Sequence, residues 1–205
     1  MTHEVRVERV WENIVAWCKQ YAPATAAVLR PPAGADAIEA AERATGVAWP
    51  AELKKWYSLH DGVDWQETDG EFLFGYMPAS LEILVSNYRL WRDVWAEIDV
   101  GGPSLAELMA KPAGTGAGTY LPCYLPFAMD VCGTCLVLDA RGGALAGPIR
   151  EFDKVEADSF ASDPIWPSLT ELLEELANSL EHGSAGRRGL SAPTIVLAWK
   201  STQVP

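Results

Sequence analysis

The sequence predicts an α+β fold, and three observations carry that reading. Apolar residues recur three and four apart near the N-terminus, around residue 90 and near residue 170, the spacing of one helix face. Between residues 123 and 152 the pattern becomes short apolar runs separated by turn residues, as in an antiparallel meander. The chain is 49% hydrophobic and holds nine Trp, enough for 205 residues to close a core without disulfides or metal.

Taken in order, Val7, Val10, Trp11, Ile14, Trp17, Cys18 and Tyr21 form one helical stripe, and Pro23 and the run Arg30-Pro-Pro-Ala-Gly34 end it in a loop. Asp36 and Glu39 have the spacing of a capping box for a short helix that stops at Gly46. Trp49-Pro50 opens the next helix, with Leu53, Trp56 and Tyr57 inward and Gly62 beyond its end. Residues Glu71 to Tyr76 read as a strand and Met77-Pro78 as the turn after it. Ser80 is an N-cap for a long helix with Leu81, Leu84, Val85, Tyr88, Trp91, Trp95 and Ile98 on one face. A Gly/Pro-punctuated connection from Val100 to Thr119 contains a single turn at Ser104 to Glu107.

Strands are expected at Cys123–Ala128, Cys135–Asp139 and Ile149–Phe152. Ser168 to Glu171 is a second capping box, opening a helix with Leu169, Leu172, Leu173, Leu176 and Leu180 inward and Gly183 at its end. Thr194 to Trp199 is a final strand candidate. Trp11, Trp17, Trp56, Trp91 and Trp95 are expected in the core.

The 16 Lys and Arg stand against 28 Asp and Glu, a formal charge of −12. Such a surface repels phosphate backbones and anionic lipid, so no nucleic-acid or membrane partner is expected, and a basic protein is favoured. The charges in the first nine residues are unlike a signal peptide, and no apolar run approaches the ~20 residues that cross a bilayer. A cytoplasmic protein is expected, with Cys18, Cys123, Cys132 and Cys135 reduced.

Four constellations invite a chemical reading. Cys132-Gly-Thr-Cys135 has thioredoxin spacing, but it runs into a strand and not into the helix that would lower a thiol pKa, and zinc would need two further ligands. Gly114-Thr-Gly-Ala-Gly118 precedes a strand, so it reads as a flexible loop and not as a phosphate cradle. His60-Asp61 lies at a helix end, where an imidazole can bond free carbonyls, and no nucleophile is placed beside it. No catalytic residue, metal site or cofactor is assigned. The fourth is acidic: between Lys55 and Arg89 there is no Lys or Arg, while Asp61, Asp64, Glu67, Asp69, Glu71 and Glu82 all fall there. The spacing does not fit a calcium loop. It is either a solvated loop or a partner-binding patch, in which Asp61, Asp64, Glu67, Asp69 and Glu71 steer a basic protein and Trp65 anchors it.

The run Gly46-Val-Ala-Trp49-Pro50-Ala-Glu-Leu53-Lys-Lys-Trp56-Tyr57-Ser-Leu59-His60-Asp61-Gly62, preceded by Ile38, Glu39 and Glu42, resembles the signature of the SUKH superfamily, in the branch of the fungal Smi/Knr cell-wall-assembly regulators. Leu125-Pro126-Phe127-Ala128-Met-Asp130 with Gly133, then Leu136 to Asp139, Gly147 to Ile149 and Trp166 to Ala177 follow in the family's order. Trp49 stands where the family usually has Leu. The resemblance implies an α+β domain with one mixed or antiparallel sheet wrapped by helices, over 1–182, with 183–205 a C-terminal extension that adds at most one strand. It marks Trp49, Pro50, His60, Gly62, Pro126, Asp130, Gly133 and Asp139 as positions that build the fold. It also implies a non-enzymatic protein-binding module. Many bacterial relatives resemble immunity proteins that neutralise a toxin, often a nuclease, and the fungal ones are regulatory interaction proteins.

Overall fold

The computed structural model describes residues 3–65, 72–99, 101–142, 147–158 and 164–182. Its elements are α1 (His3–Tyr21), α2 (Pro23–Ala27), α3 (Ala35–Thr45), α4 (Ala51–Leu59), β1 (Met77–Pro78), α5 (Leu81–Ala96), α6 (Leu105–Met109), β2 (Tyr124–Met129), β3 (Cys135–Asp139), β4 (Ile149–Phe152) and α7 (Leu169–His182). The four strands form one antiparallel sheet in the order β1-β2-β3-β4, so the fold is α+β with a single antiparallel sheet. Every residue of β3 is buried, on both faces of the sheet. Helix α5 packs on β2, while α1 packs on α4 and α7, and α3 lies against α4 and α5.

Local sequence explains most of these elements. Val7, Val10, Trp11, Ile14 and Cys18 of α1 are buried, as their spacing requires. Ser80 Oγ accepts from the backbone N–H of Ile83 and caps α5. Pro126 sits in the interior strand β2 because the ladder is irregular there: its register skips Phe127, whose carbonyl accepts from the N–H of Ala79 instead. Asp130 closes the β2–β3 hairpin by accepting from the N–H groups of Cys132 and Thr134, both at 2.8 Å, and Gly133 takes φ +91 in that turn. The sheet edges are covered. Val63 N–H donates to Pro78 O along β1, and residues 165–166 exchange backbone bonds with Ile149 along β4.

Several expectations are corrected. The expected strand over 71–76 is a tight turn in its described part, with Leu73 bridged to Tyr76, Phe74 at φ 51 and Gly75 at φ 101. The strand is Met77–Pro78, where a turn was expected, because those residues pair with Met129 and Ala128. Helix α3 is capped by Gly34 with no side-chain bond; Asp36 lies within the first turn, and Glu39 pairs with Arg43. Pro50 is the N-cap of α4, outside its first turn. Pro23 starts a short helix where a loop was expected, which its fixed φ permits at a first position. The turn at Ser104 becomes α6, held by a complete capping box with Glu107.

Of the five core tryptophans, Trp11, Trp56 and Trp95 are buried, while Trp17 and Trp91 at the margins of their stripes are half-buried. Tyr21 and Ile98, at the ends of the two stripes, are exposed. The expected helix stop at Gly183 and the strand at Thr194 to Trp199 lie outside the described residues.

Candidate functional site

Helix α4 is followed by His60, Asp61 and Gly62, of which His60 and Gly62 are buried and Asp61 is half-buried. His60 is buried, stacked on Trp11 with ring centroids 4.4 Å apart and edge-on to Trp56 at 4.0 Å. Its Nδ1 accepts from the backbone N–H of Gly62 at 3.0 Å. The imidazole therefore accepts a bond from the next turn, where the sequence reading had it donating to helix carbonyls. Burial pushes its pKa down to about 3, although the Gly62 backbone contact opposes the shift. The ring is neutral near pH 7 and closed to solvent, a structural group. Gly62 has φ +71, and a Cβ there would meet the Ala79–Ser80 backbone at 2.6 Å, so the motif needs glycine.

The acidic segment begins beside it. Asp61 Oδ1 accepts from the Leu81 N–H at 2.7 Å, at the first turn of α5, and its Oδ2 faces Arg30 at 3.3 Å. Asp61 is thus engaged in joining α4 to α5. Asp64 is exposed, with its N–H tied to Val28 O at 2.8 Å. Trp65 is half-buried against Val28, Val63 and Met77, and its indole N–H donates to Pro78 O at 3.4 Å. The structure brings Asp61, Asp64 and Trp65 to the outer edge of β1, with Trp65 folded back onto it. Glu67, Asp69 and Glu71 lie outside the described residues.

Trp49 Nε1 donates to Thr45 Oγ1 at 3.0 Å, and its N–H to Glu42 Oε1 at 2.8 Å. Cys132 is exposed in the β2–β3 turn, while Cys135 is buried in β3, where burial pushes its thiol up to about 12. The same cause acts on Cys18 and, helped by Asp139, on Cys123, both also at about 12, so these three thiols are poor nucleophiles. Among the described residues no group of three or more His, Cys, Asp or Glu is arranged to hold a metal ion.

Two buried polar clusters escaped the sequence reading. The Gly-rich segment is not loose. Gly114 N–H donates to Asp139 Oδ2 at 2.7 Å, and the N–H groups of Ala117 and Gly118 donate to Asp158. Arg141 pairs with Asp139 at 2.5 Å and also bonds the carbonyls of Thr115 and Leu108. Arg150 pairs with Asp158 at 3.1 Å and reaches the carbonyl of Gly114. Tyr124 donates to Asp158 at 2.6 Å. Two buried Arg–Asp pairs thus clamp residues 114–118 onto the sheet. A signal was available: Arg150 lies between Ile149 and Phe152 in an expected strand, and an Arg buried there must find an acid.

The second cluster is Glu52, buried in α4. It accepts from Leu169 N–H at 3.1 Å, Thr170 N–H at 3.4 Å and the Thr170 hydroxyl at 2.6 Å, so it caps α7 from another helix. Ser168 Oγ adds a bond from Glu171 N–H, the half of the expected capping box that is seen.

Comparison with known proteins fits this picture. A curated "KNR4/SMI1 homolog" from Kluyveromyces lactis is 34% identical over 105 residues, 49% of this chain but only 19% of that relative. The chain thus spans about a fifth of the length of the relative it matches. The model of the SMI1 / KNR4 family (SUKH-1) matches residues 32–175, a stretch that includes α4, the sheet, the His60-Asp61-Gly62 turn and the Gly-rich clamp. By that match over most of its length, the chain belongs to the SMI1 / KNR4 (SUKH-1) family.

Proposed function

We propose that this SUKH-family chain is a non-enzymatic protein-binding module, and more narrowly an immunity protein that neutralises a basic toxin domain of the nuclease kind. The observation that carries the reading is the disposition of charge: −12 over the chain, with six acids and no Lys or Arg between Lys55 and Arg89. Asp64 and the acids that follow it steer a cationic partner toward the β1 edge. The buried, neutral His60 and the raised thiols of Cys18, Cys123 and Cys135 support a binding role over catalysis. Among the described residues no helix is long and apolar enough to cross a membrane. We place the protein in the cytoplasm, where its four unpaired cysteines stay reduced.

A second reading, a regulatory scaffold of the cell-wall-assembly kind, is favoured by the fungal relative, of which this chain corresponds to one part. One experiment separates the two. Proteins retained by the chain from native lysate at low salt are identified, and each is expressed with and without it. A basic protein that stops growth alone and is silenced by the chain supports immunity. A harmless partner supports the scaffold, and a partner held equally well at high salt contradicts the electrostatic reading.

A further inference from the structure

Helix α5 turns two kinds of apolar side chain in different directions. Leu84, Tyr88 and Trp95 are buried against the sheet, whereas Leu90 and Val94 on its flank, and Ile98 just past its end, are 50%, 41% and 44% exposed. Positions four apart lie on one side of a helix, so the three form a ridge. Two β-turns stand beside it. The β2–β3 turn carries Val131, 79% exposed, and the turn after β4 carries Val155, 72% exposed.

The two turns are tied together. Thr134 Oγ1 donates to Asp153 Oδ2 at 3.3 Å, Lys154 Nζ donates to Cys132 O at 2.6 Å, and the Lys154 side chain lies over Gly133. Both are also tied to α5. Asn87 Nδ2 donates to Met129 Sδ at 3.0 Å at the base of the first turn, while Ile98, Trp95 and Val155 line one shallow hollow of about 450 Å³. Valine at two exposed turn tips and three aliphatic side chains along and just past α5 thus stand on elements tied to one another, five exposed apolar side chains in all.

The rim of this face is acidic. Asp93 and Glu97 border the ridge on α5, and Glu156 follows Val155 in the turn. Two cations stand nearby, Arg92 paired with Asp93 at 2.7 Å and Lys154 on the Cys132 carbonyl, and they are outnumbered by Asp93, Glu97 and Glu156 together with Asp130 and Asp153 of the two turns. We propose that the face formed by Leu90, Val94, Ile98, Val131 and Val155 docks an apolar segment of a basic protein partner, one that presents aliphatic or aromatic side chains flanked by Lys and Arg. The inference rests on the protein-binding role proposed above and supplies its anchor, because Trp65 is turned inward. Charge complementarity selects this occupant: a second copy of a −12 chain would bring acid rim against acid rim.

The test uses synthetic peptides as probes, so it does not depend on finding the natural partner. The isotope-labelled chain is titrated with an amphipathic Lys/Leu peptide and with a Glu/Leu peptide of the same apolar spacing. The Lys/Leu peptide is expected to shift the amide signals of residues 90–98, 131 and 155, and the Glu/Leu peptide to leave them unmoved. Replacing Val94→Ser together with Val155→Ser, both exposed, keeps the thermal melt and weakens Lys/Leu binding about tenfold or more.

Absence of Lys/Leu binding up to ~1 mM, equal binding of both peptides, shifts centred on Trp65, or full affinity in the double variant would each overturn the proposal. So would a concentration-dependent dimer that the double variant dissociates, since the face would then belong to a second copy. If the peptide fails here while a basic toxin captured from lysate still binds in a salt-dependent way, this face falls and the proposed function stands. If the peptide binds here and no basic partner exists, the reverse holds.

Discussion

The acidic edge beside β1 and the clamp beneath residues 114–118 are built from the same residue types and have opposite characters. In the clamp, Asp139 and Asp158 are buried, each faces an Arg, and their remaining lone pairs take backbone N–H groups. At the edge, Asp61 is half turned to structure, bonding Leu81 N–H and Arg30, and Asp64 faces solvent. Charge that is buried here holds the fold, and charge at the surface is what the proposed partner would meet. The comparison also shows why a count of acids says little about function until each is placed. Glu52 looks like a surface helix residue in sequence and is a buried cap.

The largest effect is expected in the clamp. Arg150→Met leaves Asp158 buried without its ion pair and should cost about 3–5 kcal/mol, read by denaturant unfolding. Pairing it with Asp158→Leu should recover little of that loss, because the Ala117 and Gly118 N–H groups and the Tyr124 hydroxyl lose their acceptor; near-full recovery would mean that the clamp is no more than an ion pair. Next, Glu52→Ala strips the start of α7 of its cap and leaves buried donors unmet, a loss of about 2–3 kcal/mol.

His60 sets a pH dependence whose sign follows from its lowered pKa. The unfolded chain binds a proton near pH 6.5, while the folded one resists until about 3, so stability is lost as pH falls through that window. The slope is about 1.4 kcal/mol per pH unit, or about 2 kcal/mol between pH 6.5 and 5, and His60→Phe should flatten it. Trp65→Ala should lower stability by roughly 1–2 kcal/mol, in proportion to its half burial, and leave any dissociation rate little changed. A variant that melts normally but dissociates faster would show that Trp65 is the anchor after all.

Much of the architecture is legible in the sequence, for stated reasons. Strand β3 is a short, mostly apolar run after the Gly133 turn, and α5 starts at a Ser that caps it; each signal is local. What is not legible is what depends on distant partners. Phe74 takes φ 51 and its neighbours turn back on themselves, so an aromatic run with good strand propensity makes no strand there. Asp36 is displaced from the cap of α3 because the helix begins two residues earlier, at Ala35 after Gly34. The bond from Glu52 to Thr170 crosses 118 positions, and the clamp joins residues 114–118 to 139–158, pairings that no local pattern announces. The candidate site was half legible. The excess of acid and the Trp within it can be seen in sequence, whereas the engagement of Asp61 with α5 and the inward turn of Trp65 cannot.

The smallest expected effect on stability carries the central claim. Asp64→Asn with Glu67→Gln and Asp69→Asn removes three charges from the acidic segment, and the expected outcome is a melting temperature that hardly moves, as surface charges contribute little to folding; a large drop would show that these acids hold the fold. The most direct measurement is stopped-flow association of this triple variant and the parent chain with the captured basic partner across a series of salt concentrations. The account predicts a slower on-rate and a flatter salt dependence in the triple variant, because screening over about 8 Å at physiological salt is what limits steering. Identical on-rates and identical salt slopes for the two proteins would contradict it, and the acids of this edge would then be no more than a solvated loop.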